Sequence, residues 1–181
     1  MKETETLLTK TTIKAYLERM KQIRKLRSDK KAESLFNKEF VVETEQIDNL
    51  HLENKIGNFI IECDEDDEVG GSNKAPNPMQ LLLSSLASCS YLTVSLICSL
   101  MKLKVTHLKL RLSAKYDLRA LWNNETNDPP GFYAFHFKWF ISTKEPLSKI
   151  KKVIQKAAEI CPVRGTIEKS NSFCQDIFIE D

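Results

Sequence analysis

The chain has 181 residues, of which 41% are hydrophobic and 29% are charged, and its formal net charge is +2. Such a composition is ordinary for a globular domain, and the length is sufficient to bury a sizeable core. The nearly neutral balance excludes binding to a polyanion through overall charge.

A basic segment opens the chain. Nine basic residues and only two acidic ones lie between Lys10 and Lys31, and apolar residues recur every three or four positions from Ile13. The pattern predicts an amphipathic helix with a basic outer face. Three interpretations remain open: a solvated helix packed on the domain, an arm that binds nucleic acid or a membrane surface, and a dimerisation or capping helix. We favour the first, and we expect no nucleic-acid or membrane partner.

The next segment alternates between apolar and polar residues. It predicts strands near Glu39–Gln46, His51–Ile56 and Asn58–Cys63. Glu62–Glu68 then holds six acidic residues in seven positions, and glycines follow it. We interpret this part as a flexible acidic loop, either simply solvated or in contact with the basic helix of the same or a second chain.

The central stretch, Met79–Met101, carries no charge. Asn77 is a plausible N-cap and Pro78 a plausible first helical residue, and the apolar residues on every side predict a helix that is buried all round. A span of about 20 apolar residues could also cross a bilayer. The mean hydropathy of −0.34 and the absence of an apolar signal segment in Met1–Lys10 favour the central helix of a soluble domain instead.

Two strands and a helix are predicted after the central helix. His107–Leu118 and Phe132–Ser142 are predicted strands of an antiparallel hairpin, joined by the loop Trp122–Gly131. Thr143 is predicted to cap a helix over Pro146–Ile160.

The end of the chain completes the predicted order of elements. Cys161-Pro162 should end or break the preceding helix, and Ser172–Ile179 is a predicted last strand. Adjacent strands with segregated helices predict an α+β fold with mostly antiparallel sheet.

Five cysteines are widely spaced, with no CxxC pair and no histidine at zinc-ligand spacing. The odd count and the missing signal segment predict a cytoplasmic protein with reduced thiols, without a metal site or a cofactor.

Two cysteines could carry chemistry. Cys89 lies midway along the central helix, where core packing and a nucleophilic role both remain open. Cys98 lies nine residues further, about half a turn around the helix, so only one of the two can face a given site. Cys161 lies at a helix end near Arg164, and a thiol beside an arginine gains thiolate character, although Cys161 could also be a packing residue.

Two motifs resemble those of the OsmC/Ohr family. The run N-P-M-Q-L-L-L from Asn77, with Ala-Ser-Cys-Ser around Cys89, resembles the opening of that family's central helix, in an N-P-M-x-L-L variant. A-A-E-I-C-P-V, which contains Cys161, resembles its second motif. The resemblance covers Phe36 to Glu180. It implies an OsmC-like α+β domain over residues 34–181, with mostly antiparallel sheets around a buried central helix in an intertwined homodimer. Residues 1–33 would form an extra N-terminal helix.

The resemblance also implies an activity. Cys89 would be the peroxidatic cysteine and Cys161 the resolving cysteine of a thiol-dependent peroxidase. Its substrate would be an organic hydroperoxide, and an external dithiol would reduce the enzyme, as in defence against oxidative stress.

One departure from the family pattern keeps an alternative open. Family members pair the reactive thiolate with an arginine, which a glutamate after the N-P dipeptide orients. Here Met79 and Gln80, which are predicted to line the pocket, occupy that region, and no arginine lies between Arg27 and Arg111. Arg164 is the candidate substitute for stabilising the thiolate. The alternative is an OsmC-like protein without peroxidase activity that binds a hydrophobic small molecule at the dimer interface.

Overall fold

The computed structural model describes residues 6–26, 36–121 and 130–178. Its helices and strands, in chain order, are α1 (Lys10–Leu26), β1 (Glu43–Asp48), β2 (His51–Ile56), β3 (Phe59–Cys63), α2 (Pro78–Leu100), β4 (Val105–Tyr116), β5 (Phe132–Thr143), α3 (Leu147–Ile160) and α4 (Pro162–Glu168). Short 3-10 turns occupy Asp67–Val69 and Leu118–Leu121.

The strands form two antiparallel sheets, β1-β2-β3 and β4-β5. The predicted α+β class and the predicted hairpin are therefore confirmed. The bounds of β2 are those predicted, whereas β1 begins four residues later than expected, because residues 37–42 form no regular structure. Most of the predicted loop Trp122–Gly131 lies outside the described residues.

Helix α1 begins at a side-chain cap. The hydroxyl of Thr9 accepts a hydrogen bond from the peptide N–H of Thr12 at 3.2 Å. Before it, Leu7 packs on the core and the N–H of Leu8 donates to Oγ of Ser99 at 3.2 Å. None of the residues of α1 is buried, so the helix is held mainly at its first turn.

The acidic segment is more ordered than predicted, because Asp64 is a buried anchor. It is 2% exposed and accepts hydrogen bonds from the peptide N–H groups of Glu65, Ser72 and Lys74 at 2.8–3.1 Å. Gly71 passes so close that an added Cβ would lie 1.9 Å from the carbonyl oxygen of Glu65. These hydrogen bonds hold the loop at residues 64–74 in a folded conformation, so the prediction of a flexible loop is wrong for this segment.

Helix α2 begins with a reciprocal capping box. Oδ1 of Asn77 accepts from the N–H of Gln80, and Oε1 of Gln80 accepts from the N–H of Asn77, both at 2.9 Å. The predicted cap and the predicted Pro78 start are confirmed. By length and hydropathy the helix could cross a membrane, but the central helices of soluble domains pass the same test.

The prediction that α2 is buried all round is wrong for a single chain. One side, including Leu86, Val94 and Cys98, is buried, whereas Leu92 on another side is 61% exposed. A helix that is apolar on every side predicts burial on every side, and a single chain buries only part of α2.

The main core lies between α2, α3 and the β4–β5 hairpin. It comprises Val94, Cys98, Leu103, Val105, Leu108, Ile150, Val153 and Ala157. Thr143 was predicted to cap α3, and this is wrong. Its hydroxyl donates to the carbonyl of Lys104 at 2.7 Å and accepts from the N–H of Glu145, and Pro146 occupies the N-cap without a side-chain bond.

The predicted break at Cys161-Pro162 is confirmed, and a new short helix, α4, begins there. The predicted last strand, Ser172–Ile179, is wrong over its described part. Residues 171–178 form no regular structure, and Phe173 and Phe178 are exposed. Alternation alone does not make a strand when no neighbouring strand pairs with it. Ile179 lies outside the described residues.

Candidate active site

The structure brings Cys89 and Cys161 together, although 72 positions separate them in the chain. Cys89 lies at the middle of α2, and Cys161 lies at the junction of α3 and α4. Their Sγ atoms are 3.3 Å apart, and Oγ of Ser90 lies 3.8 Å from Sγ of Cys161. Both cysteines are free thiols.

The two thiols differ in accessibility. Cys161 is 2% exposed, whereas Cys89 is half-buried. A small molecule therefore reaches the sulfur of Cys89 more easily than that of Cys161.

The electrostatic balance at Cys89 disfavours its thiolate. Burial raises the pKa of Cys89, and the adjacent Cys161 raises it further, while a hydrogen bond from the peptide N–H of Val163 lowers it. The net result is a pKa above the ordinary value of a cysteine thiol. Within the described parts of the chain, none of the groups that shift this pKa is a lysine or an arginine.

Arg164 has other partners. Its Nε donates to Oε1 of Glu168 at 2.7 Å, and its guanidinium carbon lies 6.0 Å from the centre of the Phe137 ring. It helps to line a cavity of about 190 Å³ next to Ser90, with an aromatic wall that includes Trp139. Ser90 connects this cavity to the pair, since its Oγ lies 3.8 Å from Sγ of Cys161, and the cavity could hold a small apolar group.

Met79 and Gln80, the predicted pocket residues, lie at the start of α2. The Gln80 side chain is exposed and occupied in the capping box, and Met79 is half-buried. Neither of them lines the cavity beside Ser90.

The other cysteines are apart from this pair. Cys98 is buried on the opposite side of α2, as its spacing predicted, and burial followed by the nearby Glu145 raises its pKa. Among the described residues, no group of three or more His, Cys, Asp or Glu side chains could hold a metal ion.

Sequence reasoning missed two neighbours of the pair. Ser90 looked like any small residue of the helix, and the N–H of Val163 is a main-chain group. The available signal was Pro162, because proline favours the first turn of a helix, where the following N–H groups are left without intrahelical partners.

The chain was compared with known families and structures. The family described as OsmC-like protein matches residues 71–174, more than half of the chain. No curated protein sequence matches significantly.

Solved structures of similar fold include an OsmC-like protein from Mycoplasma pneumoniae, at 20% identity and TM-score 0.62 over 73% of this chain and 89% of that one. An organic hydroperoxide resistance protein from Legionella pneumophila is 18% identical, with TM-score 0.55 over 72% and 90%. One from Elizabethkingia anophelis is 15% identical, with TM-score 0.52 over 73% and 91%. At these identities the likeness shows the fold.

Proposed function

The chain belongs to the OsmC-like family, and from this premise we propose that it is a thiol-dependent peroxidase that reduces organic hydroperoxides through Cys89 and Cys161. Two structural relatives are named organic hydroperoxide resistance proteins, which supports this reaction class for the fold. The family contains many proteins, and a fold alone does not specify an activity. The assignment to an N-P-M-x-L-L branch remains a prediction.

The observation that carries the proposal is the distance of 3.3 Å between the two sulfurs. A disulfide bond is about 2.05 Å long, so the sulfurs need to approach by only about 1.25 Å. The two cysteines come from different elements, α2 and the α3–α4 junction, and the more accessible one lies on α2. This is the arrangement that a peroxidatic and a resolving cysteine require.

The reaction follows in three balanced steps. The thiolate of Cys89 attacks the distal oxygen of the hydroperoxide, the O–O bond breaks, and the alkoxide leaves and takes a proton to become the alcohol. The thiol of Cys161 then attacks the sulfenic acid of Cys89, which forms the disulfide and releases water. An external dithiol reduces the disulfide and is itself oxidised to a disulfide.

Among the described residues no lysine or arginine lowers the pKa of Cys89, so the proposed peroxidase needs a further group to stabilise the thiolate. We propose that the protein is a homodimer and that a second copy completes the site. The β1–β3 sheet supports this, because it makes few contacts with the rest of its own chain. Phe59 is 74% exposed and Ile60 is 60% exposed, and adjacent strand residues point to opposite faces. A three-stranded sheet that exposes apolar residues on both faces needs a cover.

The exposed side of α2 supports the same proposal. Leu82 and Leu92 are exposed on the helix that carries Cys89, and Leu92 lines an open apolar depression with Tyr91 and Leu110. A second copy that covers this side would lie against the helix of the reactive cysteine. Residues 1–33 are proposed to be an extension to the family domain over residues 34–181.

Location and partners complete the proposal. The free thiols and the need for an external dithiol fit a reducing cytoplasm. No resident cofactor is needed, because the sulfur atoms themselves carry the oxidation.

A second function remains a candidate, because the geometry shows no cation beside Cys89 among the described residues. In that case the protein binds a hydrophobic small molecule at the dimer interface, and the two cysteines are incidental. The apolar cavity beside Ser90 and Trp139 is the observation that favours it.

The test is consumption of cumene hydroperoxide in the presence of dithiothreitol or dihydrolipoamide. We compare the wild type with Cys89→Ser and Cys161→Ser, and use Cys98→Ser as the matched control on the same helix. We expect Cys89→Ser to abolish turnover, Cys161→Ser to stop disulfide formation after the first oxidation, and Cys98→Ser to retain the wild-type rate. Equal rates in all four proteins would leave the binding function as the better explanation.

A further inference from the structure

A large cleft lies between α1 and the C-terminal end of α2, far from the cysteine pair. Its volume is about 1170 Å³, slightly larger than the roughly 300–1,000 Å³ typical of small-molecule sites. Ile13 and Leu17 of α1 form one apolar wall, and Leu8 and Leu100 form the other. We call it the lysine cleft, because five lysines line it: Lys10, Lys14, Lys21, Lys102 and Lys104.

The cleft borders α1, which the described residues tie to the domain by a hydrogen bond just before its first turn. The N–H of Leu8 bonds to Oγ of Ser99, and the Thr9 cap then starts α1 away from the body of the domain. The apolar side of α1 is only partly covered, because Ile13 and Met20 are half-buried and Leu17 is exposed. An amphipathic helix whose apolar side is incompletely covered leaves room for an occupant.

The charge around the cleft indicates what that occupant is. Among the described residues of the lining Glu18 is the one acidic side chain, and its carboxylate already lies 3.9 Å from Nζ of Lys14. Within residues 6–26, 36–121 and 130–178, Lys10, Lys21 and Lys102 form no ion pair. An apolar space with an excess of cations complements a molecule that has an apolar chain and an anionic head.

We propose that the lysine cleft binds a single-chain amphipathic anion, a long-chain carboxylate. The chain would lie between Ile13, Leu17 and Leu100, and the carboxylate would lie among the lysines. A carboxylate and an ammonium group form charge-assisted hydrogen bonds, which are stronger where the neighbouring wall excludes water.

This site is separate from the cysteine pair. Ser99 and Leu100 follow Cys89 by ten and eleven residues, roughly 15 Å along the helix axis, and no cysteine lines the cleft. The proposal therefore does not depend on the peroxidase assignment.

The experiment measures binding of palmitate to the full chain by isothermal titration calorimetry, below the critical micelle concentration. We expect one palmitate per chain. Neutralising three lysines of the cleft together, as Lys10→Gln, Lys21→Gln and Lys102→Gln, should weaken binding at least about tenfold. Hexadecanol has the same chain without the charge, and it should bind at least about tenfold more weakly than palmitate.

The same helix provides a matched control outside the cleft. Arg19→Gln, Arg24→Gln and Lys25→Gln remove the same charge from positions that do not line it, and this variant should bind palmitate within about twofold of the wild type. Far-ultraviolet circular dichroism checks that both triple variants keep their helix content.

Four results would each overturn the proposal. They are no binding of monomeric palmitate, equal loss in the two triple variants, binding only to anionic phospholipid vesicles, and loss of binding in Cys89→Ser. The first would mean that another occupant, such as a second copy, covers the cleft. Equal loss in the two triple variants would mean that palmitate responds only to the overall positive charge of the protein. Binding only to vesicles would mean that this surface contacts membranes, and loss of binding in Cys89→Ser would mean that palmitate binds at the cysteine site.

Discussion

The two sheets of this chain lie in different environments. In the β4–β5 hairpin, Val105 and Leu108 are buried against α2 and α3. In the β1–β3 sheet, Phe59 and Ile60 are exposed on opposite faces. A single chain therefore buries residues of the β4–β5 hairpin against α2 and α3, but leaves apolar residues of the β1–β3 sheet exposed on both faces. The β4–β5 hairpin therefore shares a core with α2 and α3 within one chain, and the β1–β3 sheet is the part for which we proposed a cover by a second copy.

The largest expected effect is on the main core, between α2, α3 and the β4–β5 hairpin. Leu103 follows α2, is 1% exposed and belongs to the main core. Leu103→Ala should lower the free energy of unfolding by about 2–5 kcal/mol, because it removes buried methyl groups and leaves a cavity. Denaturation in urea measures this, with Leu118→Ala as the exposed control. A change below that of the control would show that Leu103 does not stabilise the main core.

The next largest effect is expected in the β1–β3 sheet. Ile60→Glu should cost a single chain little, because the side chain already meets water, but it should weaken dimerisation by at least about tenfold, since it places a charge in the proposed interface. Light scattering coupled to size-exclusion chromatography measures the mass over a range of concentrations. Ile60→Val is the control and should stay dimeric. A wild type that is monomeric at all concentrations would contradict the proposed cover.

A smaller effect is expected in the loop between β3 and α2. Burial alone would raise the pKa of Asp64, but peptide N–H groups of Lys74, Glu65 and Ser72 outweigh it and hold the pKa below the usual value. The stabilisation is therefore present above the ordinary aspartate pKa and is lost as pH falls through the lower pKa of the folded state. Asp64→Asn should speed amide hydrogen exchange in the loop at residues 64–74 at neutral pH. Unchanged exchange there would mean that the carboxylate does not hold the loop.

The last prediction concerns reactivity and leaves stability unchanged. The pKa of Cys89 is raised, chiefly by burial, so the thiolate fraction should keep increasing with pH beyond the ordinary cysteine pKa. We expect the rate of alkylation by iodoacetamide, followed by mass spectrometry of the Cys89 peptide, to increase over this alkaline range in a monomeric Ile60→Glu background.

The dimeric wild type provides the comparison for that measurement. A lower apparent pKa in the dimer would show that the second copy activates the thiol. The same pKa in both proteins would show that dimerisation does not change the reactivity of Cys89.

The sequence predicted local features well and their partners less well. The Asn77 cap, the Pro78 start and the break at Cys161-Pro162 depend on a few neighbouring residues, so they could be inferred directly. The Thr143 cap failed because the helix begins only at Leu147, so the hydroxyl accepts from the N–H of Glu145 before the helix and donates to the carbonyl of Lys104. The last strand failed because a strand needs a neighbour that alternation does not identify.

The order of elements as far as α3, the central helix and the two motifs that contain Cys89 and Cys161 could be inferred from the sequence, because periodicity, caps and motifs are properties of nearby residues. The sequence did not predict the 3.3 Å distance between the two sulfurs, the burial of Asp64 or the lysine-lined cleft beside α1, which are known from the tertiary structure. These facts depend on contacts between residues that are distant in the chain. Their free energies depend on burial and geometry, which composition and spacing do not specify.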